Sequence, residues 1–312
     1  MIDIIILGII RKVMYNLRRD KNIEKISKEF SKKNDIECRI LCCKDDFEDL
    51  LLSLTSFYYY SKFYLNIYIH EDGSFNEECK DLIKEIFPFI NVILLDDANS
   101  RLKEIIGNND FYKSRLKLIK DFKFHLRLID FPFLSDKSRI LSIDSDCFFF
   151  SNPIELFESI EKNSQYTHCQ GNFFSHGNAE KILEEIGFKN ELDLKKMPKP
   201  GAHIILYPTD FFIRNWKLVN DFIEYLLRFG SKWCDEQGFF DITLKNNFRE
   251  TALAHDTYIG TFWKNEIKLD DYDFNLNTDN IKVIHCASNE DFLKTTKRRL
   301  VDLLQISISN KK

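Results

Sequence analysis

Hydrophobic and polar positions change rhythm along the chain, and the changes mark its elements. From Arg11 to Lys33 the residues are charged, with Val13, Leu17, Ile23, Ile26 and Phe30 at roughly helical intervals, which predicts an added N-terminal helix. The run CRILCC, Cys38 to Cys43, predicts a short buried strand that ends at Lys44-Asp45-Asp46, and a helical pattern follows from Phe47 to Tyr60. LNIYIH, Leu65 to His70, repeats the strand signal and stops at Glu71-Asp72-Gly73-Ser74, a turn by composition. A helix from Glu77 to Phe87 and a strand from Asn91 to Leu95 complete three alternations. That rhythm predicts parallel strands with crossover helices, hence an α/β sheet. A long helical segment, Phe111 to Asp130, reaches Pro132, and RILSI, Arg139 to Ile143, supplies the next strand.

The second half is less regular. Helices are expected at Ile154 to Glu161, Glu180 to Ile186 and Arg214 to Phe229, with strands at His203 to Tyr207 and Lys282 to Cys286. No internal repeat and no low-complexity linker occurs. In α/β sheets ligands sit beyond the carboxyl ends of the strands, and Asp45, Asp46, Asp72, Asp144 and Asp146 all fall at such ends.

The composition, 44% apolar and 30% charged over 312 residues, allows a large core. A formal charge of −4 spread over mixed signs lacks the basic face that neutralises nucleic-acid phosphates, so no nucleic-acid partner is expected. The eight cysteines contain no CxxC pair, and Cys42 and Cys43 are adjacent, so they read as reduced core thiols. The apolar stretch Ile2 to Ile10 is interrupted by Asp3 and Gly8 and lasts about half of what a bilayer crossing requires. It has neither a basic leader nor a small-residue cleavage site, and the expected location is the cytoplasm.

The chemistry concentrates in RILSIDSDCFFF. A buried strand ends there in two carboxylates one residue apart, and side chains at i and i+2 of an extended chain share a face. Asp144 and Asp146 so placed can share one divalent cation, Mg²⁺ or Mn²⁺, which neutralises a diphosphate as it leaves. The plainer alternative is an exposed acidic turn after a core strand.

The wider stretch HLRLIDFPFLSDKSRILSIDSDCFFFSNP resembles glycosyltransferases of GT-A architecture, including the glycogenin-like and bacterial lipopolysaccharide and capsule sugar transferases: an Arg-bearing helix leads through a Pro-containing loop to a strand ending in DxD. The resemblance covers roughly Cys38 to Ala287, with the DxD block as its specific part. It implies an α/β fold with a central, mainly parallel sheet flanked by helices, and a metal-dependent transfer of sugar from a nucleotide-sugar, a UDP-sugar first. The acceptor would be a glycan, a lipid-linked glycan or a protein. Together with the residue pattern at the two ends, it divides the chain into a helical extension over 1–35, a transferase domain over 36–290 with a nucleotide-sugar half (36–150) and an acceptor half (151–290), and a C-terminal helix or tail over 291–312.

By the same resemblance Asp144, Asp146 and His285 are the metal ligands, Ser145 lies between the aspartates, and Arg127 touches the donor phosphates or sugar. Cys43, Asp45 and Asp46 border the base and ribose, Gly201 and Ala202 lie near the donor sugar, and Asp235, Glu236 and Gln237 stand by the reacting centre. Two departures affect sugar choice and diphosphate contacts: Pro200-Gly201-Ala202 replaces the family's Asn-x-Gly, and the Gly-x-x-Lys-Pro-Trp after the late histidine is absent. HEDGS, His70 to Ser74, receives no chemical role.

Each position has a structural alternative. His285 reads equally as a hydrogen-bonded strand histidine, and Arg127 as a surface ion pair. Asp45 and Asp46 read as helix caps, and Asp235 and Glu236 as a solvated helix start. In the C-terminal segment Lys294, Lys297, Arg298 and Arg299 accompany Phe292, Leu293, Leu300 and Leu304, a pattern that suits packing on the domain or a peripheral contact with the inner face of the membrane. Two other functions compete. A haloacid-dehalogenase-like phosphatase also places DxD after a buried strand, but Phe148 occupies its Thr or Val position; the other is an inactive nucleotide-sugar-binding protein.

Overall fold

The chain is described by a computed structural model over residues 3–171, 177–194, 196, 199–260, 281–286 and 290–309, without the side chains of 31–32, 171, 199–200, 202, 233–234, 290–292 and 307. The N-terminal segment forms two helices, α1 (Ile4–Arg18) and α2 (Lys21–Lys33), where the sequence pattern predicts one. The break falls at Asp20, whose carboxylate accepts from Asn22 N and caps the second helix. Ile10, Val13 and Met14 of α1 are buried in the same core as the first strand and helix of the alternating half.

That half runs β1 (Ile36–Cys42), α3 (Phe47–Ser61), β2 (Ile67–Glu71), α4 (Glu77–Ile86), β3 (Asn91–Ile93), α5 (Leu95–Ile106), α6 (Asp110–Asp121), a 3-10 helix (Lys123–Leu128), α7 (Asp130–Phe133) and β4 (Arg139–Ile143). The helix expected over Phe111 to Asp130 is therefore interrupted. Phe122 leaves helical geometry at φ −144° and ψ 59°, and the tighter 3-10 turn after it re-aims Arg127. The second half adds β5 (Cys147–Phe149), α8 (Ile154–Glu161), β6 (Tyr166–Gly171), α9 (Ala179–Glu185), β7 (Lys199–Pro208), α10 (Thr209–Arg214), α11 (Trp216–Phe229), α12 (Trp233–Asn247), β8 (Glu250–Leu253), β9 (Tyr258–Gly260), β10 (Val283–His285) and α13 (Glu290–Ser309).

Seven strands form one sheet in the order β3-β2-β1-β4-β7-β6-β8. β1, β2, β3 and β4 are parallel, and β7 runs antiparallel to both β4 and β6. Every residue of β4 is buried, which is why RILSI is a nearly continuous apolar run. Burying Ile140, Leu141 and Ile143 contributes roughly 1.5–3 kcal/mol each. Chain order reverses between β1 and β4, which opens a crevice at their carboxyl ends.

A second sheet, β5-β10-β9, joins the segment after β4 to the late strand. α13 closes the molecule, with Leu300 and Leu304 buried in the core and Lys297 paired with Glu48 and Asp49 of α3. Among the described residues, no helix is long and apolar enough to cross a membrane.

Candidate active site

β4 delivers Asp144 and Asp146 into the crevice. Its ladder with β7 continues one step past the strand, where Asp144 N donates to His203 O at 2.9 Å. The chain then turns, with Cys147 N donating to Asp144 O at 3.2 Å, and enters β5. Ser53 Oγ of α3 donates to Cys147 O at 2.6 Å, so the turn is fastened from the helix side as well. Because β5 pairs antiparallel with β10 in a register that sets Cys147 opposite His285, the late histidine returns over the Asp-Ser-Asp turn.

His285 Nε2 lies 3.2 Å from Asp146 Oδ1 and 3.4 Å from Asp144 Oδ2. Burial opposes a charge on this imidazole, but the two carboxylates outweigh it and raise its pKa. The same contact lowers Asp146 against the upward push of burial. The three side chains offer ligand atoms that all lie within 4.8 Å of one another. Adjacent ligands about 2.1 Å from an octahedral ion stand roughly 3.0 Å apart, so the observed separations fit two carboxylates and an imidazole around one Mn²⁺ or Mg²⁺.

Behind Asp144 stands a buried relay. Arg127, on the 3-10 helix, donates from Nη1 to Asp144 Oδ1 at 2.7 Å and from Nε to Glu236 Oε1. Glu236 is in the first turn of α12 and fully buried; burial pushes its carboxyl up to about 7, against the lowering effect of Arg127. His125 Nδ1 lies 4.0 Å from Glu236 Oε2, and burial, with Arg127 adding, pushes this imidazole down to about 3. Adjacent Asp235 points elsewhere. Its oxygens accept from Asn178 N and Lys232 N, both at 2.7 Å, so it reaches back over the first turn of α12 and ties the helix to the start of α9.

The crevice holds a cavity of about 360 Å³ lined by the ends of β1, β2 and β4 and by the 3-10 helix. Cys43, Asp46, Asp72, Lys123, Arg127 and the Asp144–Asp146 turn all face it. Cys43 Sγ donates to Asp46 Oδ2 at 3.2 Å; burial pushes this thiol up to about 11 and raises Asp46, to which Asp146 also adds.

No family model and no curated protein matches the sequence. Solved structures do match. The galactosyltransferase LgtC, in complex with donor and acceptor sugar analogs, superposes with a TM-score of 0.56 over 86% of this chain and 95% of that one, at 11% identity. The WbbM bifunctional glycosyltransferase gives a TM-score of 0.53 at 16% identity, over 89% of this chain and 52% of that one. The chain has the GT-A fold.

Against the GT-A frame the expected site residues divide into groups. Asp144, Ser145, Asp146, Arg127, Cys43 and Asp46 face one cavity, and His285 joins the two aspartates. Asp45 faces a neighbouring cleft of about 510 Å³ with Lys44, Glu48 and Lys297. Gln237 is buried on α12, and its Oε1 has no hydrogen-bond partner among the described residues. Gly201 lies on β7 two residues before His203, while the Ala202 side chain lies outside the described residues. A Cβ on Gly201 would stand 3.1 Å from both Cys169 O and His203 Cε1. That matters because the His203 ring stacks on His285, with centroids 4.7 Å apart and 10° between planes.

Three contributors received no chemical role from sequence reasoning: His203, Lys123 and the HEDGS turn. In that turn Glu71 accepts from Gly73 N at 2.7 Å and Leu95 N at 2.6 Å, and Asp72 accepts from Ser74 N at 3.0 Å and from Ser74 Oγ. Gly73 holds φ +91°, a conformation that suits glycine. The segment is a rigid bracket that presents Asp72 to the cavity.

Proposed function

We propose that the chain is a glycosyltransferase that uses Mn²⁺ or Mg²⁺ to move a sugar from a nucleoside-diphosphate sugar to a glycan, lipid-linked glycan or protein acceptor. The observation that carries this reading is the convergence of Asp144, Asp146 and His285 at the carboxyl end of β4 in a GT-A fold. Its nearest rival, a phosphatase, needs a free aspartate nucleophile. Asp144 has one oxygen on Arg127 and the other facing His285.

Charge supports a metal requirement. The cavity lining carries four carboxylates, Asp46, Asp72, Asp144 and Asp146, against the two cations Lys123 and Arg127. A diphosphate entering that field is repelled unless a divalent ion is present. The ion would supply Lewis-acid stabilisation of the departing diphosphate. The protein's part is to hold three ligand atoms in place, with Arg127 and Glu236 orienting Asp144. Cys43 and Asp46, which line the same cavity as the aspartates, are assigned to the nucleoside, and UDP is the first donor to try. Gly201 and Gln237 are assigned to the sugar side.

Titration calorimetry with UDP, GDP and dTDP, with Mn²⁺ and then with EDTA, tests the proposal, followed by donor hydrolysis with the corresponding sugars. Binding of one diphosphate that EDTA abolishes is expected. Equal affinity in both conditions removes the metal, and no binding of any of the three removes the donor class.

A further inference from the structure

We propose that Lys123, rather than Arg127, meets the donor diphosphate, and that its ion pair with Asp72 is the contact it exchanges to do so. The inference rests on the nucleotide-sugar reading above.

The two cations are four residues apart on one 3-10 helix and face the same cavity. Their situations differ. Arg127 is held between Asp144 and Glu236, and only 11% of its side chain reaches solvent. Turning it toward a phosphate would strip a fully buried carboxylate of its cation, a change that is strongly unfavourable. Lys123 is 42% exposed, and its ammonium bonds Asp72 Oδ2 at 3.2 Å. A partly exposed pair of this kind is weak, and a lysine on a flexible stem acts as a point charge that re-aims readily.

Asp72 does not depend on that partner. Its other oxygen accepts from Ser74 N and Ser74 Oγ, and Ser74 Oγ in turn accepts from Lys44 N at 2.7 Å. When Lys123 leaves, Asp72 keeps its bracket and about a tenth of its side chain faces solvent, so no buried group is orphaned. A diphosphate offers the ammonium more negative charge and more acceptor oxygens than one carboxylate does, which favours the exchange. The ion pair with Asp72 thus holds Lys123 at the cavity, available to an anion.

The test is calorimetry in Mn²⁺ with uridine, UMP and UDP, repeated with the guanosine and thymidine series, on wild type, Lys123→Met and Lys123→Arg. Lys123→Met should lose about tenfold or more in nucleoside-diphosphate affinity and keep nucleoside affinity and melting temperature, while Lys123→Arg keeps most of the binding. Lys123→Met that binds the diphosphate like wild type, or that loses nucleoside and diphosphate alike, overturns the assignment and leaves the donor reading standing. Wild type that binds no nucleoside diphosphate overturns both.

Discussion

Replacing Glu236 by Gln should make the protein more stable and less active, and the two effects can be measured separately. Glu236 is fully buried, and its carboxyl is pushed up to about 7 from an ordinary value of 4.5. A carboxyl whose folded pKa is raised opposes folding above that pKa and ceases to do so as pH falls toward the unfolded value. The penalty at pH 8 is roughly 3 kcal/mol, from about 2.5 pH units at 1.36 kcal/mol each. A glutamine keeps an oxygen for Arg127 Nε and carries no charge to bury. Urea unfolding should therefore show Glu236→Gln more stable by up to about 3 kcal/mol at pH 8, with the gain fading between pH 7 and pH 5. Turnover should move the other way, because Arg127 loses one of the two carboxylates that fix it beside Asp144; losses on the order of tenfold are typical for such supporting contacts. If the variant is destabilised equally at pH 8 and pH 5, Glu236 is an ordinary stabilising ion pair and the reasoning is wrong.

Other outcomes follow from the same geometry. Asp146→Asn should reduce metal-dependent donor turnover by at least about a hundredfold while the protein still folds, since the residue sits at a turn; activity above a tenth of wild type would remove it from the metal site. Gly201→Ala should weaken Mn²⁺ binding several-fold, because its Cβ presses on the His203 ring that stacks on His285 and on the Cys169 carbonyl; calorimetry giving a wild-type Kd would break that chain of contacts. His125, pushed down to about 3, stays neutral in the folded protein while the unfolded chain protonates near pH 6.5. Its contribution to stability is lost as pH falls through 6.5 toward 3, so His125→Gln should make the urea stability profile shallower between pH 6 and 4, by up to about 1.4 kcal/mol per pH unit. Parallel profiles for variant and wild type would refute this.

Local signals in the sequence were strong where a strand is buried on both faces. RILSI occupies Arg139–Ile143 as its Ile-Leu-Ile content implies, and the helix expected at Ile154 to Glu161 has the same bounds in the structure. β5, β8 and β9 are three or four residues long and have no periodicity of their own; their pairing partners create them. The meeting of His285 with the aspartates depends on one register, Cys147 opposite His285, between segments more than a hundred residues apart in the chain. Motif resemblance suggested that meeting, and no periodicity could have. The tie between Arg127 and Glu236 was hidden for a related reason: adjacent Asp235 and Glu236 look equivalent in sequence, and only the start of α12 sends one into a cap and the other to a guanidinium. Lys123 was invisible because a helix rich in lysine gives no sign of which one faces a cavity.

α13 gives the molecule an unusual mechanical linkage. Lys297 grips Glu48 and Asp49 on the first turn of α3, directly after the loop whose Cys43 and Asp46 wall the cavity. The same helix follows β10, the strand of His285, in the chain. One helix is therefore joined to the start of α3 by ion pairs and lies next in sequence to β10. Without Lys297, the Asp49 carboxyl, which burial already pushes up to about 6, would face the neighbouring acidic groups without its cation, so this helix also neutralises charge beside the cavity wall.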